Sequence, residues 1–238
     1  MSTLAPPAPP APPAEETATA PPPAPAKASS RPDPRFNGRD FFASLGDVPL
    51  ERVLFHPPPG TVPLLLHEAI DGRVDGVLVE LVNRTLVEKP MGMKESRIGG
   101  NFHTFLNVYV RQHNLGFVAM ADGIVKMPGG NRRMPDVAVF LKTDYPDGVR
   151  PEENATSLPP RLVVEIISEG NTEAEMAMKL VEYFASGCRL AYLVYPETKT
   201  ARRYTSPADV TEIAADGTLD GGDVLPGFTV ELASIFEE

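Results

Sequence analysis

The chain has 238 residues, a net charge of −10, one cysteine (Cys188) and no tryptophan. A single cysteine excludes an internal disulfide framework and a multi-cysteine zinc site within the chain, and the acidic balance excludes long-range attraction of nucleic acid, so contact with phosphates requires a local basic patch or a bound cation. Aromatic residues make up only 7% of the chain, which leaves a two-carboxylate glycoside hydrolase without a sugar platform.

From Ala5 to Pro34 proline and alanine dominate, with polar fill and no large apolar side chain. Such a segment buries too little surface to offset its ordering entropy, so residues 1–34 are expected to form a disordered tail. The tail's few charges nearly cancel, which leaves almost all of the negative charge on residues 35–238, long enough for a single α/β domain with a substantial core. No basic start followed by an apolar core is present, nor a run apolar enough to span a membrane, and the expected location is cytoplasmic.

Between Arg35 and His56 a short helix or extended arm is expected, with Asn37 or Asp40 before its apolar residues. A short helix follows over Thr61 to Ala69. Val77 to Val82 and Thr85 to Lys89 flank Asn83 and Arg84, a hairpin signal because asparagine tolerates the left-handed turn conformation. Glu80 and Glu88 lie on this hairpin, where solvation or cross-strand pairing is the simplest account. Met91 to Arg97 lead into a helix that runs to about His113, and Ile98, Phe102, Phe105, Leu106 and Tyr109 recur at helical spacing on one face. Glu95 stands three residues before Ile98, along that inner face, although a first-turn acid also complements the helix dipole. His103 and His113 belong to the helix surface.

Leu115 to Met120 and Gly123 to Met127 are two further strands, the second closed by Pro128, Gly129 and Gly130. Pro135 then fixes the backbone before Asp136, at the entrance of the strand Val137 to Phe140. Lys142 to Pro160 is polar and reads as a surface loop. The apolar run Leu162, Val163, Val164, Glu165, Ile166, Ile167 suits a strand buried on both faces, where the charge on Glu165 is costly without a partner. After it, Thr172 and Glu175 form a capping box, and Met176, Leu180, Tyr183 and Phe184 mark the buried stripe of a helix ended by Gly187. Lys179 falls on that stripe, where its stem could snorkel the ammonium outward. Two strand acids, Asp136 and Glu165, with Lys179 on the next helix form a candidate metal-dependent hydrolytic site. Leu190 to Tyr195 and Thr200 to Thr205 then pair antiparallel, and a turn, a strand and a final helix close the chain.

The segments GVLVELVNRTLVEKPMGMKES, RMPDVAVF, RLVVEIISEGNTEAEMAMKLVEYFASGCRLAYLVYPETKTARRY and GDVLPGF, in this order, resemble the Uma2 (DUF820) family of restriction-endonuclease-like proteins, within the PD-(D/E)XK nuclease superfamily. The resemblance implies an α/β fold with a mixed central β-sheet flanked by helices. It also implies a catalytic set of Asp136, Glu165, Lys179 and Glu95, with Asp136, Glu165 and Glu95 as ligands of Mg²⁺ or Mn²⁺. DNA is the implied substrate and a homodimer the implied assembly. The superfamily lysine usually stands two residues after the strand acid, a position held here by Ile167, which strand alternation puts on the face of Glu165. Lys179 takes over that charge from the helix. Arg132, Arg133, Lys94 and Arg97 are candidate phosphate contacts. Glu169 and Asn171 depart from the family pattern and support an alternative, a nuclease fold that no longer cleaves and acts as an interaction module.

Overall fold

The computed structural model describes residues 37–150 and 152–237, so the tail expected over 1–34 lies outside the described residues. Within the unit from Asn37 onward, the apolar patterns of the sequence become two six-stranded sheets and five α-helices among the described residues. The central sheet is mixed. Its order across the sheet is Asp209–Ile213, Thr200–Ser206, Leu190–Tyr195, Leu162–Ile166, Val137–Leu141 and Gly116–Met120. Leu162–Ile166 runs parallel to Leu190–Tyr195 and antiparallel to Val137–Leu141, and both of its faces are buried.

Strand alternation divides that burial. Leu162, Val164 and Ile166 pack with Ile98, Phe102, Leu106 and Val110 of the long helix Met93–Gln112, whereas Val163 packs with Met176, Leu180 and Tyr183 of the helix Glu173–Ser186. Phe105, expected on the buried stripe of the long helix, is 39% exposed. Val110 is buried instead, and Tyr109 only partly so, because the stripe turns with the helix along the sheet.

A second sheet contains the hairpin Val77–Val82 and Thr85–Glu88, with Asn83 and Arg84 both at positive φ, 46° and 59°, as a two-residue turn demands. Arg132–Arg133 pairs with the first hairpin strand, and Ile124–Lys126 follows. The segment 142–160 is more structured than a surface loop: Lys142–Asp144 and Pro146–Gly148 are 3-10 turns, and Ala155–Thr156 pairs in parallel with Ile124–Lys126. Ala155 and Leu158 are buried, which supplies the apolar area that anchors it.

Near the start of the described chain Asn37 and Asp40 form a capping box on the helix Gly38–Ser44. Its following turn meets the Glu173–Ser186 helix at Gly46, where Thr172 Oγ1 donates to the Gly46 carbonyl at 2.5 Å. Gly46 has φ 84°, and a Cβ there would lie 2.6 Å from Glu175 Cα. Gly46→Ala is therefore expected to cost about 2–3 kcal/mol from backbone strain and steric overlap together, read as a Tm lowered by roughly 5 °C or more. An unchanged Tm would mean that this turn is not held against the helix.

Candidate active site

Register brings the two strand acids together. Val137 stands opposite Val164 in the antiparallel pair, and the same register continued by one step sets Asp136 opposite Glu165. Like charges facing each other across neighbouring strands repel, so each requires its own cation. Lys179 Nζ lies 3.3 Å from Glu165 Oε1 and 3.1 Å from Glu80 Oε1. Lys89 Nζ lies 2.6 Å from Asp136 Oδ1 and also donates to the Met134 carbonyl. The other oxygen of Asp136 accepts from the Ile166 backbone N–H at 2.6 Å, and the Tyr183 hydroxyl donates to Glu165 Oε1.

Glu80 completes the connection. It sits between Val79 and Leu81 on the hairpin strand, fully buried, and accepts from Met134 N–H at 3.0 Å and from Arg133 Nη1 at 2.9 Å. Arg133 reaches outward with Nε to Glu182 at 2.6 Å. Glu80, Asp136 and Glu165 thus face Lys89, Arg133 and Lys179, three carboxylates against three cations in one buried set.

The balance differs from group to group. Burial pushes the Glu80 carboxyl up, but Lys179, Arg133 and Lys89 outweigh it and hold the group well below the usual carboxylate range. For Glu165 burial prevails: together with the charges of Asp136 and Glu80 it raises the carboxyl above its ordinary value, against Lys179 and Lys89. Burial alone would lower Lys179, yet the carboxylates of Glu165 and Glu80 raise it, so the ammonium stays charged. Tyr183 is raised by burial and by the neighbouring Glu165, and keeps its proton for the hydrogen bond it donates.

Of the residues singled out from sequence, Asp136, Glu165 and Lys179 converge on one face of the central sheet. Lys179 is 2% exposed and does not snorkel. Ile167 packs against the apolar cluster on the same side. Glu95 forms no metal-binding group with the acid pair: its carboxylate accepts from Gly92 N–H at 3.0 Å, capping its own helix, because a first-turn carboxylate meets the free N–H groups there. It lines a cavity of about 560 Å³ beside Ser168, Glu169 and Tyr195, just beyond the end of the Glu165 strand.

The basic residues proposed for phosphate contact are engaged. Arg133 is buried between Glu80 and Glu182, and Arg132 is buried against Glu68 at 2.8 Å. Lys94 pairs with Glu197, and Arg97 donates to the carbonyls of Phe236 and Glu237. The Thr172 capping box is only half formed: Thr172 accepts from Glu175 N–H at 3.0 Å, whereas the Glu175 carboxylate takes both Nη atoms of Arg52 at 2.8 Å. Glu80, Lys89 and Tyr183 are the members of the set that sequence reasoning did not place. Tyr183 had a signal, standing four residues after Lys179 on one helix face. Lys89 had none, since it ends a hairpin strand from another sheet.

The donor chemistry fits a hard divalent cation. The Lys89 ammonium already occupies a cation position built from a carboxylate oxygen and a backbone carbonyl, the oxygen ligands that Mg²⁺ and Mn²⁺ prefer. Among the described residues no three His, Cys, Asp or Glu side chains form a metal-binding group, so a metal on Asp136 and Glu165 would draw its remaining ligands from backbone carbonyls and water. Among the described residues no helix is long and apolar enough to cross a membrane.

Residues 67–233 match the model of the Uma2 family, described as "Putative restriction endonuclease". Among solved structures, the chain is similar to a "putative nuclease belonging to DUF820" from Anabaena variabilis ATCC 29413, with 18% sequence identity and a TM-score of 0.59 over 67% of this chain and 89% of that one. At that identity the likeness concerns the fold, a mixed α/β architecture of the nuclease kind. No curated protein matches.

Proposed function

Because the chain belongs to the Uma2 family, we propose that it is a metal-dependent endonuclease hydrolysing DNA phosphodiester bonds at Asp136, Glu165 and Lys179. The observation that carries this reading is the convergence of two buried strand acids with a buried lysine on one sheet face, beside an open cavity. Asp136 and Glu165 would hold Mg²⁺ or Mn²⁺. Bound there, the metal would supply Lewis acidity and a water of lowered pKa. Hydrolysis forms one bond from water oxygen to phosphorus and breaks one from phosphorus to a sugar oxygen, which leaves with a proton. Lys179 contributes a fixed positive charge beside the position where negative charge develops. Tyr183 donates to the Glu165 carboxylate and orients it. Glu95 is left to hold its helix terminus at the cavity wall.

The test is cleavage of supercoiled plasmid and of duplex or branched oligonucleotides with Mn²⁺ or Mg²⁺, with EDTA, and with Asp136→Asn as control. Cleavage should require the metal and disappear in the variant. Metal-independent cleavage, or full activity of Asp136→Asn, overturns the assignment. The charge balance of the buried set favours a second reading, a nuclease fold retained as an interaction module, for which neither cleavage nor metal binding is expected. A homodimer belongs to the leading reading by family resemblance, and sedimentation showing only monomer at all concentrations would remove it.

A further inference from the structure

Lys89 and Lys179 hold their places differently. Lys179 rises from a helix and sits between two carboxylates, Glu80 at 3.1 Å and Glu165 at 3.3 Å. Lys89 comes from the end of the hairpin strand and has one carboxylate, Asp136, with a neutral carbonyl as its other partner. Pro90, the next residue, lines the 560 Å³ cavity with Met91 and Gly92, so the Lys89 side chain is rooted at the rim of the open space next to the site. The three buried cations Lys89, Arg133 and Lys179 face the buried carboxylates Glu80, Asp136 and Glu165 and, at the edge of the set, Glu182, so a divalent ion added there leaves a surplus positive charge of one in a desolvated place. Withdrawal of the Lys89 ammonium removes that surplus and frees the Asp136 oxygen in the same step.

We propose that Lys89 is the resident cation of the Asp136 carboxylate, and that a divalent metal enters the site only by displacing its ammonium, so that Lys89 sets the metal affinity. This inference rests on Asp136 and Glu165 being the metal ligands. It also gives the hairpin a function beyond packing: its Lys89 carries a self-inhibiting group into a site whose acids come from the central sheet.

The experiment is calorimetric titration of the full chain with Mn²⁺, comparing wild type with Lys89→Met, which keeps the apolar stem and removes the charge. Alongside it, the acetylation of Lys89 in wild type by an amine-reactive reagent is followed by mass spectrometry, without metal and at saturating Mn²⁺. Lys89→Met should bind Mn²⁺ about tenfold more tightly or better, and saturating Mn²⁺ should increase the labelling of Lys89 in wild type. Equal or weaker affinity of a folded Lys89→Met overturns the proposal. Should that variant fail to fold, unchanged labelling of Lys89 in metal-saturated wild type overturns it alone. Mn²⁺ binding that is indifferent to Lys89 leaves the nuclease reading standing, whereas no Mn²⁺ binding by either protein removes both.

Discussion

Glu80→Ala is expected to destabilise the folded protein by about 3–5 kcal/mol and to lower its Tm by roughly 10 °C. The carboxylate is fully buried and shared by Lys179, Arg133 and the Met134 N–H, so its removal takes one of two carboxylate partners from each buried cation and leaves the backbone donor without its acceptor. Stabilities of single domains are about 5–15 kcal/mol, and a loss of this size is a large fraction of the whole. The pH dependence identifies the cause. A carboxyl held below its ordinary value of 4.5 stabilises the fold above that pH, and the contribution disappears as pH falls through the folded-state value. The gap in stability between wild type and Glu80→Gln should therefore be full at pH 7 and shrink steadily below about pH 4.5. Glu165 carries the opposite sign: its raised carboxyl favours folding at low pH and that contribution is lost as pH rises. Glu165→Gln should accordingly cost less at pH 7 than Glu80→Gln. Chemical denaturation of the two variants across pH checks both statements, and an equal, pH-independent loss would sink the charge-balance account.

Lys179→Met is expected to reduce metal-dependent DNA cleavage by about 10²–10⁴-fold. The lysine reaches Glu165 from the helix Glu173–Ser186, and Ile167, two residues after Glu165, packs in the apolar cluster on that side and carries no charge. Its loss also removes the main cation lowering Glu165, whose carboxyl should then move further up. The metal-free Lys179→Met should consequently lose stability more steeply with rising pH than metal-free wild type, since the Glu165 carboxyl it leaves behind is raised further. A variant that is merely less stable would lose activity and recover it on cooling. Cleavage at the wild-type rate by folded Lys179→Met would rule the lysine out of the chemistry.

Local pattern was sufficient for the hairpin at Asn83 and Arg84, the Glu165 strand and the Gly187 helix stop, because each depends on turn chemistry or on alternation within a few residues. The same alternation placed Glu165 and Ile167 on one face and Lys179 on the stripe that meets it. Local pattern did not distinguish a lysine that snorkels from one that stays inside, nor a hairpin glutamate in water from one in the core. Both outcomes depend on partners from other elements of the chain: Glu80 is buried because Arg133 and Lys179 converge on it, and Lys179 remains inside because Glu80 and Glu165 do. Likewise, Glu175 was legible as half of a capping box, but Arg52 takes its carboxylate from another part of the chain.

The sequence by itself determined the hairpin at Asn83 and Arg84, the strand that carries Glu165 and the helix that carries Lys179, since these follow from turn chemistry and from period-two and helical spacing. Only the tertiary structure decided the charge state of that set. Coulomb energies in a desolvated place depend on distances between groups from separate elements, and no local rule supplies the separation of Lys89 from Asp136 or of Glu80 from Lys179.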